Sequence, residues 1–220
     1  MKTAQIFNKS LEIRNSLKSK NDFIENPIDS NLLPVLPFRI TNKIKLLILG
    51  QDPTVKNEKS RQSIEYTLNL DKAGSLKAYI NQICDLLGIS FENIYSTNIF
   101  KYFYTYPPER TMHVLHSHLP ANLELLKEEL AAYPKVPIIA LGLPVLQLLA
   151  SEKAQVRDYW NYNPKTRKCD GKFTFCPAKD NKLERDIYPF PHQPSIRKEF
   201  YRDNLQIYIN FMKNTEYRYD

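Results

Sequence analysis

Lys45-Leu46-Leu47-Ile48-Leu49-Gly50-Gln51-Asp52-Pro53-Thr54 is the segment of the chain that points most directly to an α/β architecture. Its short apolar run reads as a buried strand. Gly50 then lets the backbone turn tightly, Asp52 follows within two residues, and Pro53 stiffens the turn. Open α/β sheets bind their ligands just past the carboxyl ends of buried strands, so Asp52 sits in a ligand-binding position.

Working outward, residues 1 to about 25 carry Ile6, Phe7, Leu11, Ile13 and Leu17 at helical spacing, and Asn26-Pro27 ends that helix. Leu32 to Phe38, with two prolines, is an extended connector. Beyond the Asp52 loop, Ile64 to Leu70 reads as a short strand or extended arm. Ser75 caps a helix whose Leu76, Tyr79, Ile80, Ile83, Leu86 and Leu87 share one face up to Gly88. Asn93 to Asn98 is a second strand, and a loop with Pro107-Pro108 follows. A helix from Pro120 to Ala132 turns Leu123, Leu125, Leu126 and Leu130 inward. Lys135 to Gly142 is a third strand that turns into a helix over Leu143 to Ala150. Lys172–Phe175 and Ile187–Phe190 supply further strands, and a helix from Lys198 to Met212 closes the chain. Strands alternating with helices predict a three-layer α/β/α domain around a mainly parallel sheet. One domain is expected over 1–220, with residues 1–38 as helix and connector and 39–212 as the core.

The 31 Lys and Arg against 24 Asp and Glu leave a net charge of +7, a field that favours polyanionic partners. No apolar run is long enough for a membrane span, and Met1 to Lys9 lacks the apolar segment of a secretory signal, so a cytoplasmic protein is expected. Three cysteines (Cys84, Cys169 and Cys176) are an odd count that argues against a disulfide framework. Cys169 and Cys176 flank Asp170-Gly171, a hairpin signal, and read as two hairpin thiols with no metal between them.

Three strand ends carry polar groups: Gln51-Asp52, Asn98, and His192-Gln193-Pro194-Ser195. In a parallel sheet these ends lie along one edge, so residues distant in sequence share a cleft. Singly, each is as well explained as a turn residue. Together, an Asp, an Asn and a His at three ends of one sheet form a candidate site.

These residues also carry a family resemblance. Gly50-Gln51-Asp52-Pro53 is similar to the first motif of the uracil-DNA glycosylase superfamily, in its best-known form Gly-Gln-Asp-Pro-Tyr. Ile64 to Leu68 looks like the segment bearing the aromatic ring that stacks on uracil, and Ser75-Leu76 also occurs there in the family. Thr97-Asn98-Ile99-Phe100-Lys101 with Pro107-Pro108 resembles the segment with the uracil-reading Asn. Ile138 to Gly142 resembles a strand-to-helix turn of the same branches, and His192-Gln193-Pro194-Ser195 resembles the family's His-Pro-Ser motif. The likeness runs in order from about residue 40 to residue 212.

The resemblance implies excision of uracil, or a related damaged base, from DNA after the nucleotide is extruded from the stack. Asp52 would stabilise the cationic sugar and position the attacking water, and His192 would donate a hydrogen bond to the departing base. Asn98 would read the O4 and N3–H edge, Tyr66 would stack on the ring, and the Gln51 backbone would add a contact. Ser195 would touch a flanking phosphate. Thr54 stands where a Tyr excludes the thymine methyl, which loosens that filter. Gln193 intrudes into the last motif, so either His192 keeps its role or Gln193 takes the His slot. Relatives with Thr-Asn-x-x-Lys hold an iron–sulfur cluster through four cysteines; the three here are at other positions, so no cluster, metal or other cofactor is expected. The expected partner is DNA, and the expected state is a monomer.

The other candidates are read as follows. His113, His116 and His118 are taken as a solvated loop before a helix rather than a metal site. Lys101, Tyr102, Phe103, Tyr104, Tyr106 and Arg110 interleave charge and rings as single-strand binders do, and as core segments also do. Ser195, Ile196, Arg197, Lys198 and Arg202 bring positive charge beside His192, with Ile196 as a wedge for the vacated stack. A nucleic-acid-binding protein without hydrolysis, and a glycosylase for another base, are the alternative readings.

Overall fold

The computed structural model of the 220-residue chain describes residues 1–18, 25–108, 111–163, 165–166, 168 and 172–216. Its centre is a five-stranded sheet in the order β1-β3-β2-β4-β5. The strands are β1 (Phe38–Arg39), β2 (Leu46–Gly50), β3 (Ile94–Asn98), β4 (Ile138–Leu141) and β5 (Ile187–Phe190). All are parallel except β1, which runs antiparallel to β3. Every residue of β2 to β5 is buried, the pattern of a sheet covered on both faces.

The helices are α1 (Thr3–Lys18), α2 (Glu58–Arg61), α3 (Ser75–Leu87), α4 (Met112–Leu130), α5 (Leu143–Leu149), α6 (Val156–Tyr159), α7 (Gln193–Ile196) and α8 (Glu199–Glu216). From β2 the chain steps outward to β3, then returns across β2 to β4. Right-handed crossovers moving in opposite directions must place α3 and α4 on opposite faces. The contacts agree: α3 packs with α8, while α4 packs with α1 and α5. The fold is therefore mixed α/β, with helices on both faces of a mostly parallel sheet. Among the described residues no helix is long and apolar enough to cross a membrane.

Register sets the level at which the strands end. Gly50 pairs with Asn98, Leu49 with Ala140, and Leu141 with Phe190. The carboxyl ends of β2, β3, β4 and β5 thus lie in one row. The strand order reverses between β2 and β4, and the loops after these two strands splay apart there.

Several sequence expectations are corrected. Helix α4 starts at Met112, well before Pro120, which it carries in its interior. The three histidines are therefore on a helix rather than in a loop: His113 and His116 are exposed, and His118 is buried with Nδ1 2.9 Å from the Tyr104 hydroxyl. Packing of Leu115, His118, Leu119 and Asn122 outweighs the missing amide of the proline. Ile64 to Leu70 is neither strand nor plain arm: Tyr66 bridges to Leu36, and Thr67–Asn69 forms a 3₁₀ turn. Ser75 is the first helical residue, and Gly74 takes the cap position. Phe173 to Phe175 do not form a strand, and the buried Cys176 makes an isolated bridge to Ile187. The hairpin residues Cys169, Asp170 and Gly171, and Arg110, lie outside the described residues. Phe38, the last residue of the expected connector, instead opens the short strand β1, whose pairing partner β3 is far away in sequence.

Tyr79, Tyr95, Tyr102, Tyr104 and Tyr208 are buried in this core, and burial holds each phenol above its usual range. A raised folded-state pKa contributes stability that is complete below the unfolded value of about 10 and is lost above it. Urea unfolding midpoints should stay level from pH 8 to 9 and fall steadily above about pH 10.

Candidate active site

A cleft of about 500 Å³ opens at the row of strand ends. Its walls come from Gly50 to Lys56 after β2, from Leu141, Gly142, Pro144 and Val145 after β4, and from His192 after β5. Ile64, Leu68, Asn69 and Leu76 close one side, and Pro107 and Pro108 another.

The Asp52 loop is held rigidly. Asp52 Oδ1 accepts from the Thr54 backbone N–H at 2.8 Å, an Asx turn that orients the carboxylate. Gly50 and Gln51 carbonyls accept from the N–H groups of Ile99 and Phe100, both at 2.9 Å. The Thr54 hydroxyl accepts from Tyr104 N–H at 2.8 Å. Arg61 is buried, and its guanidinium donates to the carbonyl of Val55 at 2.8 Å and of Thr105 at 2.8 Å. That clamp was invisible in the sequence, where Arg61 is one basic residue among several. Behind the loop, burial keeps Tyr102 and Tyr104 protonated, and the nearby Asp52 charge adds to the effect.

Asn98 is fully buried at the end of β3, and among the described residues neither its Oδ1 nor its Nδ2 has a hydrogen-bond partner. A Cβ built on Gly50 would collide with Asn98 Oδ1 and lie 2.9 Å from Leu68 Cδ2. The amide of Asn98 and the methyl of Leu68 therefore share the space above the Gly50 α-carbon. An unpaired buried amide costs about 1–3 kcal/mol, so a polar group kept there points to a ligand that satisfies it. Leu68 is itself strained, with φ 58°.

His192 is exposed at the mouth of the cleft, at the cap position of α7. Its carbonyl accepts from Ser195 N–H at 2.7 Å, and the preceding Pro191 carbonyl accepts from the buried Tyr79 hydroxyl at 3.2 Å. Gly142 has φ 97°, and a Cβ there would stand 3.2 Å from His192 Cβ, so Gly142 is what lets the two loops close together. Gln193 opens α7 and is not among the cleft residues.

Asp52, Gln51, Thr54 and His192 are brought to one cleft, with Asn98 directly behind Gly50. Tyr66 is not: its ring meets Phe38 edge-on at 6.3 Å, and Leu68 and Asn69 occupy the wall instead. Lys101, expected at a DNA surface, is 1% exposed. Its Nζ is 2.8 Å from Glu129 and donates to the Asn98 carbonyl at 2.9 Å, while Tyr95 donates to Glu129 at 2.6 Å. Lys101 thus anchors the backbone of Asn98 from inside. Tyr102, Phe103 and Tyr104 are core, and Tyr106 is exposed. Ser195 and Ile196 are half-buried, with Ile196 packed on the core, and Arg197, Lys198 and Arg202 are exposed nearby. Among the described residues no three His, Cys, Asp or Glu side chains are grouped to hold a metal ion. The free Cys84 is buried, and burial pushes its thiol up to about 12.

Compared with models of known protein families and with curated proteins, the chain matches none.

Two substitutions check this anatomy. Lys101→Met leaves Glu129 buried without its cation and should cost roughly 3–5 kcal/mol in chemical denaturation, most of it recovered by adding Glu129→Leu. Thr54→Val strands the Tyr104 N–H and should cost about 1–3 kcal/mol by the same measurement.

Proposed function

We propose that this protein is a DNA glycosylase of the uracil-DNA glycosylase type, hydrolysing the bond between deoxyribose and uracil or a related damaged base. The observation that carries this reading is the buried, unpaired amide of Asn98 directly behind Gly50, which lines a cleft together with Asp52 and His192. An amide has one acceptor and a pair of donors, the complement of a pyrimidine edge with an N–H and a carbonyl. Because the target bond is unreachable inside a duplex, the base must swing out into the cleft. As the bond breaks, the sugar gains positive charge, and the Asp52 carboxylate stabilises it and orients the attacking water. The base leaves with negative charge, toward which His192 donates a hydrogen bond. A neutral imidazole serves for this as long as its N–H points at the oxygen. The Asx turn and the Tyr79 and Lys101 anchors keep these groups in place before substrate arrives, the condition under which electrostatic stabilisation is strongest. The exposed Arg197 and Lys198, with the overall charge of +7, supply positive charge for the phosphate backbone, while Arg202 is paired with Asp203.

Purified protein is expected to release free uracil from single- or double-stranded uracil-containing oligonucleotides. Asp52→Asn should lower turnover by about 100-fold or more and leave affinity for uncleaved DNA near that of wild type. No release from either strand form would sink the uracil reading. Steeply salt-dependent DNA binding without turnover would favour a non-hydrolysing binder.

A further inference from the structure

Asn69 is a cleft residue for which the proposed chemistry has no task. It follows Leu68, and the two have consecutive left-handed backbones, φ 58° and 54°. Asn is among the non-glycine residues most often found in that conformation, whereas Leu is rarely found there. Two adjacent residues, Leu68 and Asn69, both line the cleft, where in an extended chain successive side chains point to opposite sides. The backbone of Asn69 is fully employed: its N–H donates to the Tyr66 carbonyl at 3.0 Å, and its carbonyl accepts from Lys72 N–H at 3.2 Å. The side-chain oxygen is different. Asn69 Oδ1 is buried, and among the described residues no donor reaches it. The fold thus keeps two amides with unsatisfied groups next to one cleft, Asn98 behind Gly50 and Asn69 in the wall.

We propose that Asn69 is a second recognition residue, whose Oδ1 accepts a hydrogen bond from an N–H of a nucleobase bound in the cleft. The inference rests on the base-excising reading above and adds a residue to it. The donor belongs either to the extruded base or to a base beside it in the strand. Both present the same N–H chemistry.

The test uses Asn69→Gly, which tolerates the left-handed backbone and removes only the amide, and Asn69→Asp, which keeps both the backbone preference and an acceptor oxygen. Thermal unfolding is recorded alongside kcat/KM for uracil release. Asn69→Gly should unfold like wild type and lose roughly tenfold in kcat/KM, the scale of one lost hydrogen bond; Asn69→Asp should stay within about threefold of wild type on the same reasoning. Inhibition by free uracil distinguishes the two donors. Weaker inhibition of Asn69→Gly places the donor on the extruded base, and unchanged inhibition with reduced oligonucleotide cleavage places it on the neighbour. Wild-type efficiency in Asn69→Gly, or an equal loss in Asn69→Asp, overturns the role of the Asn69 oxygen and leaves the base-excising reading standing. A wild type that releases no uracil overturns both.

Discussion

The pairing of Gly50 with Asn98 across β2 and β3 is the constraint on which the rest of the site depends. Parallel register brings the two residues side by side at the sheet edge. The absent side chain of Gly50 leaves the volume that the Asn98 amide occupies. Any larger residue at 50 would drive the amide out, and with it the only described polar group on the floor behind the Asp52 loop that is buried and unpaired on both of its atoms. On the other side of β2, its pairing with β4 and that of β4 with β5 set the levels of those strands, which is how His192 arrives at a cleft also lined by Gly50, far away in sequence.

Around this point the chain uses buried polar groups as fasteners. The Arg61 guanidinium and the Thr54 hydroxyl tie the Asp52 loop to residues 104 and 105. Lys101 and Glu129 tie the end of β3 to α4, with Tyr95 completing the carboxylate's hydrogen bonds. Tyr79 ties the loop before α7 to α3. Each fastener joins a segment that follows a strand to a part of the chain distant in sequence. Loops alone would leave the site to move, whereas the proposed catalysis by preset charges would need it stationary. A buried ion pair contributes little net stability against an apolar replacement, so the Lys101–Glu129 pair is better understood as fixing position than as strengthening the fold.

Much of this was legible in the residues. Leu46–Gly50, Ile138–Leu141 and Ile187–Phe190 are short apolar runs, and buried parallel strands need no alternation to be seen. The spacing over α3 marked its buried face equally well. Asp52, Asn98 and His192 were readable as strand-end residues of one sheet because parallel topology sends all such ends to the same edge. The misreadings share one cause. His118 and Lys101 are polar, and local pattern assigns polar residues to water; both are buried because a distant partner, Tyr104 or Glu129, takes the place of solvent. Spacing along the chain points to Tyr66, whereas the left-handed turn at Leu68 and Asn69 puts those two residues in the wall of the cleft.

The class of fold, the succession of the four parallel strands along the chain and the polar residues at their ends were therefore readable from the residues, since these follow from local hydrophobic pattern and from turn chemistry. Only the tertiary structure decided which of those residues meet. Register, the switch of strand order at β2, the missing Cβ at Gly50 and the backbone hand at residues 68 and 69 are set by contacts between segments far apart in the chain. No local periodicity records them, because the free energy that selects them arises only once the layers are packed.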